Sequence, residues 1–213
     1  MEIVDRRDDR PPTVFLLSPA TLLGLRAQQL AAPRASFDTA LRFRSAEGVP
    51  IGQAFAFMSS LYFRGKITYA ERFATALPGF DSGENESGVY VIAPGYGLVA
   101  SGWALTQERF RKIRRTPVDL TVRAYHRPLT QDARALAERL PADARAVLLG
   151  SVATGKYVDV LRPVLGDRLR FPLCFAGVGD MARGAILLRA ARSGEELEYG
   201  TLDQPRQRLK SAL

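Results

Sequence analysis

Three short apolar runs most constrain how this chain can fold: Thr13-Val14-Phe15-Leu16-Leu17, Val89-Tyr90-Val91-Ile92-Ala93 and Ala146-Val147-Leu148-Leu149. Each is too short for a buried helix and has no polar alternation. They read as strands covered on both faces. Ser18-Pro19 ends the first, and Pro94-Gly95-Tyr96-Gly97 breaks the second. Arg168 to Phe171 reads as a short fourth strand.

Between the strands lie segments of helical character: 22–31, closed by Pro33; 37–44, capped by Ser36; 50–58; and 63–76, with Phe63, Ile67, Ala70, Phe73 and Ala74 on one face. Others follow at 130–140, Gly155 to Leu165 and Arg183 to Arg192. A helix from Thr106 to Arg115 has Thr106 as N-cap and Glu108 in its first turn. Residues 78–88 are a polar, acidic loop. Apolar strands alternating with helices predict an α/β fold, a mixed or mostly parallel sheet covered by helices on both faces. The expected domain is 13–200, between a disordered leader at 1–12 and a basic tail at 201–213.

No stretch of the 213 residues approaches a membrane span, and MEIVDRRDDRPP has no apolar signal core, so the expected compartment is the cytoplasm with no membrane partner. Cys174 is the only cysteine and His126 the only histidine. No zinc spacing, internal disulfide or nucleophile elbow is present, and no metal or cofactor is expected. The 30 Lys plus Arg against 22 Asp plus Glu, a net charge of +8, favour anionic partners or reflect a coding bias toward arginine. Only Lys66, Lys112, Lys156 and Lys210 are lysines. Lys66 and Lys156 each follow a glycine, which suggests places where a compact ammonium is wanted.

Four segments could carry chemistry. Gly150-Ser151-Val152-Ala153-Thr154-Gly155-Lys156-Tyr157 has P-loop spacing behind a strand, but Tyr157 stands where a Ser or Thr would hold Mg²⁺. It is an anion cradle or an ordinary strand–helix turn. Ser59-Ser60-Leu61-Tyr62-Phe63-Arg64-Gly65-Lys66 offers hydroxyls, a phenol and two cations, or a simple helix cap. Tyr96 lies between two glycines past a strand end, where α/β folds bind ligands. Gly177 to Gly184 is a glycine-bearing loop entering a helix, with Asp180 as N-cap and Arg183 in the first turn, where an anion should face it. Separately, Arg109, Arg111, Lys112, Arg114 and Arg115 form a cationic run that could hold a phosphate backbone or simply face solvent.

In this order the segments resemble the YaaA-like peroxide-stress family. Leu16-Leu17-Ser18-Pro19-Ala20 is similar to its opening strand and Ser-Pro-Ala motif. Tyr96-Gly97-Leu98-Val99 resembles its central turn, Ser151 through Tyr157 its Ala-Ser-x-x-Tyr-Phe element, and Ala182-Arg183-Gly184 through Arg189 its last helix start. Leu61-Tyr62-Phe63-Arg64-Gly65-Lys66 also looks like a related branch of small α/β proteins. The chain departs from the pattern at Thr21, where members usually have Lys, and shows no helix-hairpin-helix element. The resemblance implies an α/β fold, a cytoplasmic stress-related role and affinity for DNA.

The resulting expectation is a cationic pocket for a nucleotide or another phosphorylated small molecule, in a nucleotide- or nucleobase-processing enzyme. Ser18, Lys66, Lys156 and Asp180 stand at the reacting end. Tyr62, Arg64, Tyr96, Gly150, Ser151, Thr154, Gly155, Tyr157 and Arg183 hold the ligand. The alternative is a non-catalytic protein that binds DNA or RNA through the 109–115 run.

Overall fold

The computed structural model describes residues 10–59, 61–75 and 87–201. Ser60, Lys210, most of the acidic loop and most of the expected leader and tail lie outside these residues.

The three apolar runs become β1 (Thr13–Leu17), β3 (Val89–Ala93) and β6 (Arg145–Leu149). They are the middle of a six-stranded sheet of order β4-β3-β1-β6-β7-β8, in which β4 is Gly97–Ala100, β7 Leu169–Pro172 and β8 Tyr199–Gly200. The pairs β1–β3, β1–β6 and β6–β7 are parallel; the edge strands β4 and β8 run antiparallel to their neighbours. β2 (Val49–Pro50) and β5 (Ala104–Leu105) form a separate antiparallel pair.

Strand pleating sends alternate side chains to opposite faces. Phe15, Leu17, Val89, Val91, Val147 and Leu149 join one core. It is covered by α1 (Leu25–Ala31), α2 (Asp38–Arg44), α3 (Ile51–Met58), α4 (Leu61–Phe73), α5 (Gln107–Arg115) and α8 (Asp180–Ser193). Val14, Leu16, Tyr90, Ile92, Ala146 and Leu148 join the other, under α6 (Arg123–Arg139) and α7 (Val158–Leu165). This is a mixed α/β fold with helices on both faces.

Several boundaries differ from the sequence expectation. The α6 helix starts at Arg123 rather than 130, because Tyr125, Leu129, Ala133 and Leu136 form one buried stripe that tolerates Pro128 inside it. Pro94 to Gly97 is the turn of a β3–β4 hairpin rather than the end of the sheet; Gly97 takes φ +91° there. Phe37 rather than Ser36 occupies the N-cap of α2, with no side-chain bond. At α8 the cap is Gly179, and Asp180 is the first helical residue. Thr106 does cap α5, its hydroxyl accepting from the Arg109 amide. Pro11 and Pro12, assigned to the leader, join the fold: the Arg145 amide donates to the Pro12 carbonyl at 2.7 Å.

Candidate functional site

β1 and β6 lie side by side and parallel, yet the chain leaves them in opposite directions. After β1 it crosses to the face holding α1 and α4; after β6 it enters α7 on the other face. The two departing segments part and leave a crevice at the carboxyl ends, the place where open α/β sheets bind ligands. A cavity of about 210 Å³ occupies it, lined among others by Ser18, Tyr62, Lys66, Ser151, Tyr157 and Asp180.

Tyr62 and Lys66 are four residues apart on α4, so one helical face presents both to the crevice. Lys66 is only 2% exposed. Its Nζ donates to the Ser18 carbonyl at 2.7 Å and to Ser18 Oγ at 2.9 Å. It also lies 4.7 Å from the Tyr62 ring centre and 4.8 Å from that of Phe63. Among the described residues no carboxylate reaches salt-bridge distance of it. Burial therefore pulls its pKa down to about 7, opposed by the charge of Asp180.

Tyr62 is 8% exposed, and its hydroxyl has no hydrogen-bond partner among the described residues. Burial pushes the phenol up to about 12; the nearby Arg183 guanidinium opposes the shift by its charge and by hydrogen bonding to the ionised form. Arg183 Nε is likewise buried without a partner. Its other nitrogens are engaged: one donates to the Phe175 carbonyl at 3.1 Å, and another lies 3.5 Å from the Asp180 carboxylate. A buried orphan donor costs about 1–3 kcal/mol. Tyr62 lines the crevice and Arg183 the neighbouring cavity of about 200 Å³, so each is costly unless a ligand satisfies it. Tyr157 is held protonated by burial, its pKa pushed up to about 12, with a hydrogen bond to Ser18 acting the other way. Ser18 Oγ donates to the Leu149 carbonyl at 3.3 Å.

Two glycines make this geometry possible. A Cβ on Gly65 would lie 2.7 Å from the Gly184 carbonyl oxygen, and one on Gly184 would lie 2.8 Å from the backbone of Leu61 and Tyr62. The helices α4 and α8 therefore cross backbone to backbone, which seats Asp180 and Arg183 beside Tyr62 and Lys66. The glycine before Lys66 serves helix packing rather than phosphate contact. Gly150 plays a related part: its Cβ would come within 3.2 Å of Ser18 Oγ.

The P-loop-like segment is arranged differently from an anion cradle. Gly155 has φ +68°, so α7 starts three residues later, at Val158. The Asp159 carboxylate lies against Gly155, where a Cβ would meet it at 2.4 Å. Thr154 and Lys156 are exposed, and the Lys156 charge acts on Asp119. Arg64 points out to a surface depression with Arg26 and Met181. Tyr96 packs against Trp103 at a tilt of 60° with ring centres 4.9 Å apart, beneath Lys112 at 4.0 Å. Arg109 covers Trp103 at 4.2 Å, while Arg111, Lys112, Arg114 and Arg115 are exposed on α5. Of the predicted site, then, Ser18, Tyr62, Lys66, Ser151, Tyr157 and Asp180 line the crevice, and Gly150 and Arg183 line a second cavity. Arg64, Tyr96, Thr154, Gly155 and Lys156 do not line the crevice.

Phe175 was missed by sequence reasoning. Its ring meets Tyr62 edge-on at 6.2 Å and lines a second cavity of about 200 Å³, with Leu148, Gly150, Phe171, Leu173 and Arg183 among others. A single phenylalanine after Leu173-Cys174 carries no local signal of this role. Larger grooves of about 490 and 590 Å³ lie between α6 and α7 and beside Pro11–Thr13; neither is lined by Lys66 or Tyr62.

Comparison with protein families, with curated proteins and with solved structures gave no match. Among the described residues no helix is long and apolar enough to cross a membrane, and no cluster of three His, Cys, Asp or Glu is placed to hold a metal.

Proposed function

We propose that the strand-end crevice binds a phosphate-bearing small molecule of the nucleotide class, in a cytoplasmic nucleotide- or nucleobase-directed enzyme. One observation carries this reading. Among the described residues, a buried lysine without a carboxylate partner and a buried phenol without a hydrogen-bond partner face one cavity at the point where β1 and β6 diverge. Phosphoryl oxygens are strong acceptors and would satisfy Tyr62, Lys66, Tyr157 and Ser151 together. The apolar cavity that Phe175 lines suits the flat ring of a base, with Arg183 in its wall. The order of motifs resembling the YaaA-like family agrees with a site at these strand ends.

The test is thermal stabilisation by a panel of nucleoside mono-, di- and triphosphates. A ligand at a hundred times its Kd stabilises by about 2.7 kcal/mol, which moves Tm by several degrees in a chain of this size. Tyr62→Phe is expected to abolish the shift, and Lys156→Ala to leave it intact. No shift with any nucleotide would refute the reading.

A second reading rests on α5, whose exposed Arg111, Lys112, Arg114 and Arg115 form a cationic face suited to a nucleic-acid backbone. It requires DNA or RNA binding that weakens steeply with salt and is lost when these four residues become Gln.

A further inference from the structure

We infer that Ser18 and Lys66 form a nucleophile–base pair that cleaves a phosphoester or phosphoanhydride bond of the ligand bound in the crevice. This rests on the phosphate-ligand reading above and adds the reaction to it.

The inference starts from position. Ser18 is the first residue beyond β1, fixed by its amide, which donates to the Leu149 carbonyl at 3.2 Å, and its Oγ borders the cavity. Lys66 Nζ stands 2.9 Å from that oxygen, within reach for proton transfer. An ordinary structural lysine would be paired with a carboxylate or extend to water. This one is enclosed between two aromatic rings and both oxygens of a serine. The groups that face it are Tyr62 from its own helix, Tyr157 from the segment after β6, and Asp180 from α8, whose side chain is 70% exposed. Burial opposes the charged amine, and Asp180 favours it. When the Ser18 hydroxyl turns from the Leu149 carbonyl, to which it donates at 3.3 Å, the lone pair of the neutral amine can take its proton, the way a weak hydroxyl nucleophile is activated. Gly150 keeps space open beside Oγ, and the orphan Tyr62 hydroxyl, locked in its protonated form, can donate to a phosphoryl oxygen as charge builds on it.

The chemistry balances with water as the only co-reactant. Ser18 Oγ bonds to phosphorus as its proton passes to Lys66 Nζ. The bond from phosphorus to the leaving oxygen breaks, and that oxygen takes the proton from Lys66. Water then attacks the phosphoseryl centre, giving its proton to Lys66; the Oγ–phosphorus bond breaks and Oγ recovers the proton. The net change is hydrolysis of one P–O bond.

The experiment is labelling of the full chain with a fluorophosphonate, read by intact mass and peptide mapping, beside turnover of nitrophenyl phosphodiester and nitrophenyl acetate. The pair predicts one adduct, on Ser18, with a rate that rises as pH increases through about 7 and Lys66 loses its proton. Ser18→Ala abolishes it, and Lys66→Met slows it by about a hundredfold or more. If Lys66→Met does not fold, the wild-type pH profile decides alone: a rate flat across neutral pH overturns the pair. An adduct on a tyrosine or lysine overturns it too. Ser18-dependent turnover of the acetate ester without the phosphodiester overturns the assignment to phosphorus. Labelling of Ser18 without nucleotide stabilisation upholds the pair and refutes the ligand reading; nucleotide stabilisation with Ser18 unreactive does the reverse.

Discussion

Helix α4 buries two polar clusters three residues apart, and they are built on opposite terms. Around Tyr69 every polar group has a partner. Its hydroxyl meets that of Tyr199 at 2.6 Å and accepts from the Leu197 amide at 2.8 Å, while the Tyr199 hydroxyl donates to Glu196 at 2.9 Å. Around Lys66, among the described residues, the amine has no carboxylate at salt-bridge distance and the Tyr62 hydroxyl finds no acceptor. The first cluster pins the segment leading into β8 against α4. The second holds polar groups at a cost in stability that a purely structural site would avoid. Polar burial alone does not mark a functional place; polar burial left unsatisfied beside a cavity does.

The largest effect should come from removing what both clusters share. Gly65→Val would drive a branched side chain into the Gly184 backbone, separating α4 from α8 at a cost of about 3 kcal/mol or more. Denaturant unfolding should show this loss, and nucleotide stabilisation should vanish with it. A stable Gly65→Val variant that still binds would mean that the crossing does not seat the site.

Next in size is the pH dependence of Lys66. Its folded pKa of about 7 lies below the unfolded value of 10.5, so between these the unfolded chain binds more protons. Stability should therefore rise with pH through that window, by an amount on the order of a few kcal/mol, and be lowest below pH about 7. Lys66→Met should remove the rise and be as stable as the wild type, or more so, at neutral pH. Matched unfolding curves across the window check both. An unchanged slope in the variant would assign the dependence to another group.

The smallest effect sharpens the contrast most. Tyr69→Phe should cost about 1–3 kcal/mol because it strands the Leu197 amide and loosens Tyr199. Tyr62→Phe should leave stability unchanged or raise it by up to about 1–3 kcal/mol, since it removes a buried hydroxyl that no described residue satisfies. Equal losses in the two variants would erase the distinction between the clusters.

How much was legible beforehand follows from range. The apolar runs at 13–17, 89–93 and 146–149 showed where the central strands lie, because strand burial on both faces leaves a local trace. The hairpin strand β4 was missed because Gly95 and Gly97 read as the end of a strand, and the start of α6 because Pro128 masked its buried stripe. Within the site, Ser18, Tyr62, Lys66 and Asp180 could be singled out as chemically capable residues. Lys156 was singled out on the same grounds and lies elsewhere, since Gly-Lys reads alike whether the glycine makes a helix crossing or a left-handed turn.

The amino-acid sequence by itself determined the α/β class, the three central strands and the scarcity of lysine that drew attention to Lys66. Only the tertiary structure decided which cations are buried and which are solvated. It alone placed β1 beside β6, brought α8 against α4 through two glycines more than a hundred residues apart, and left Tyr62 unpartnered. The reason is physical: apolar patterning acts over neighbouring residues, whereas desolvation and hydrogen-bond satisfaction depend on what distant segments bring to the same few ångströms.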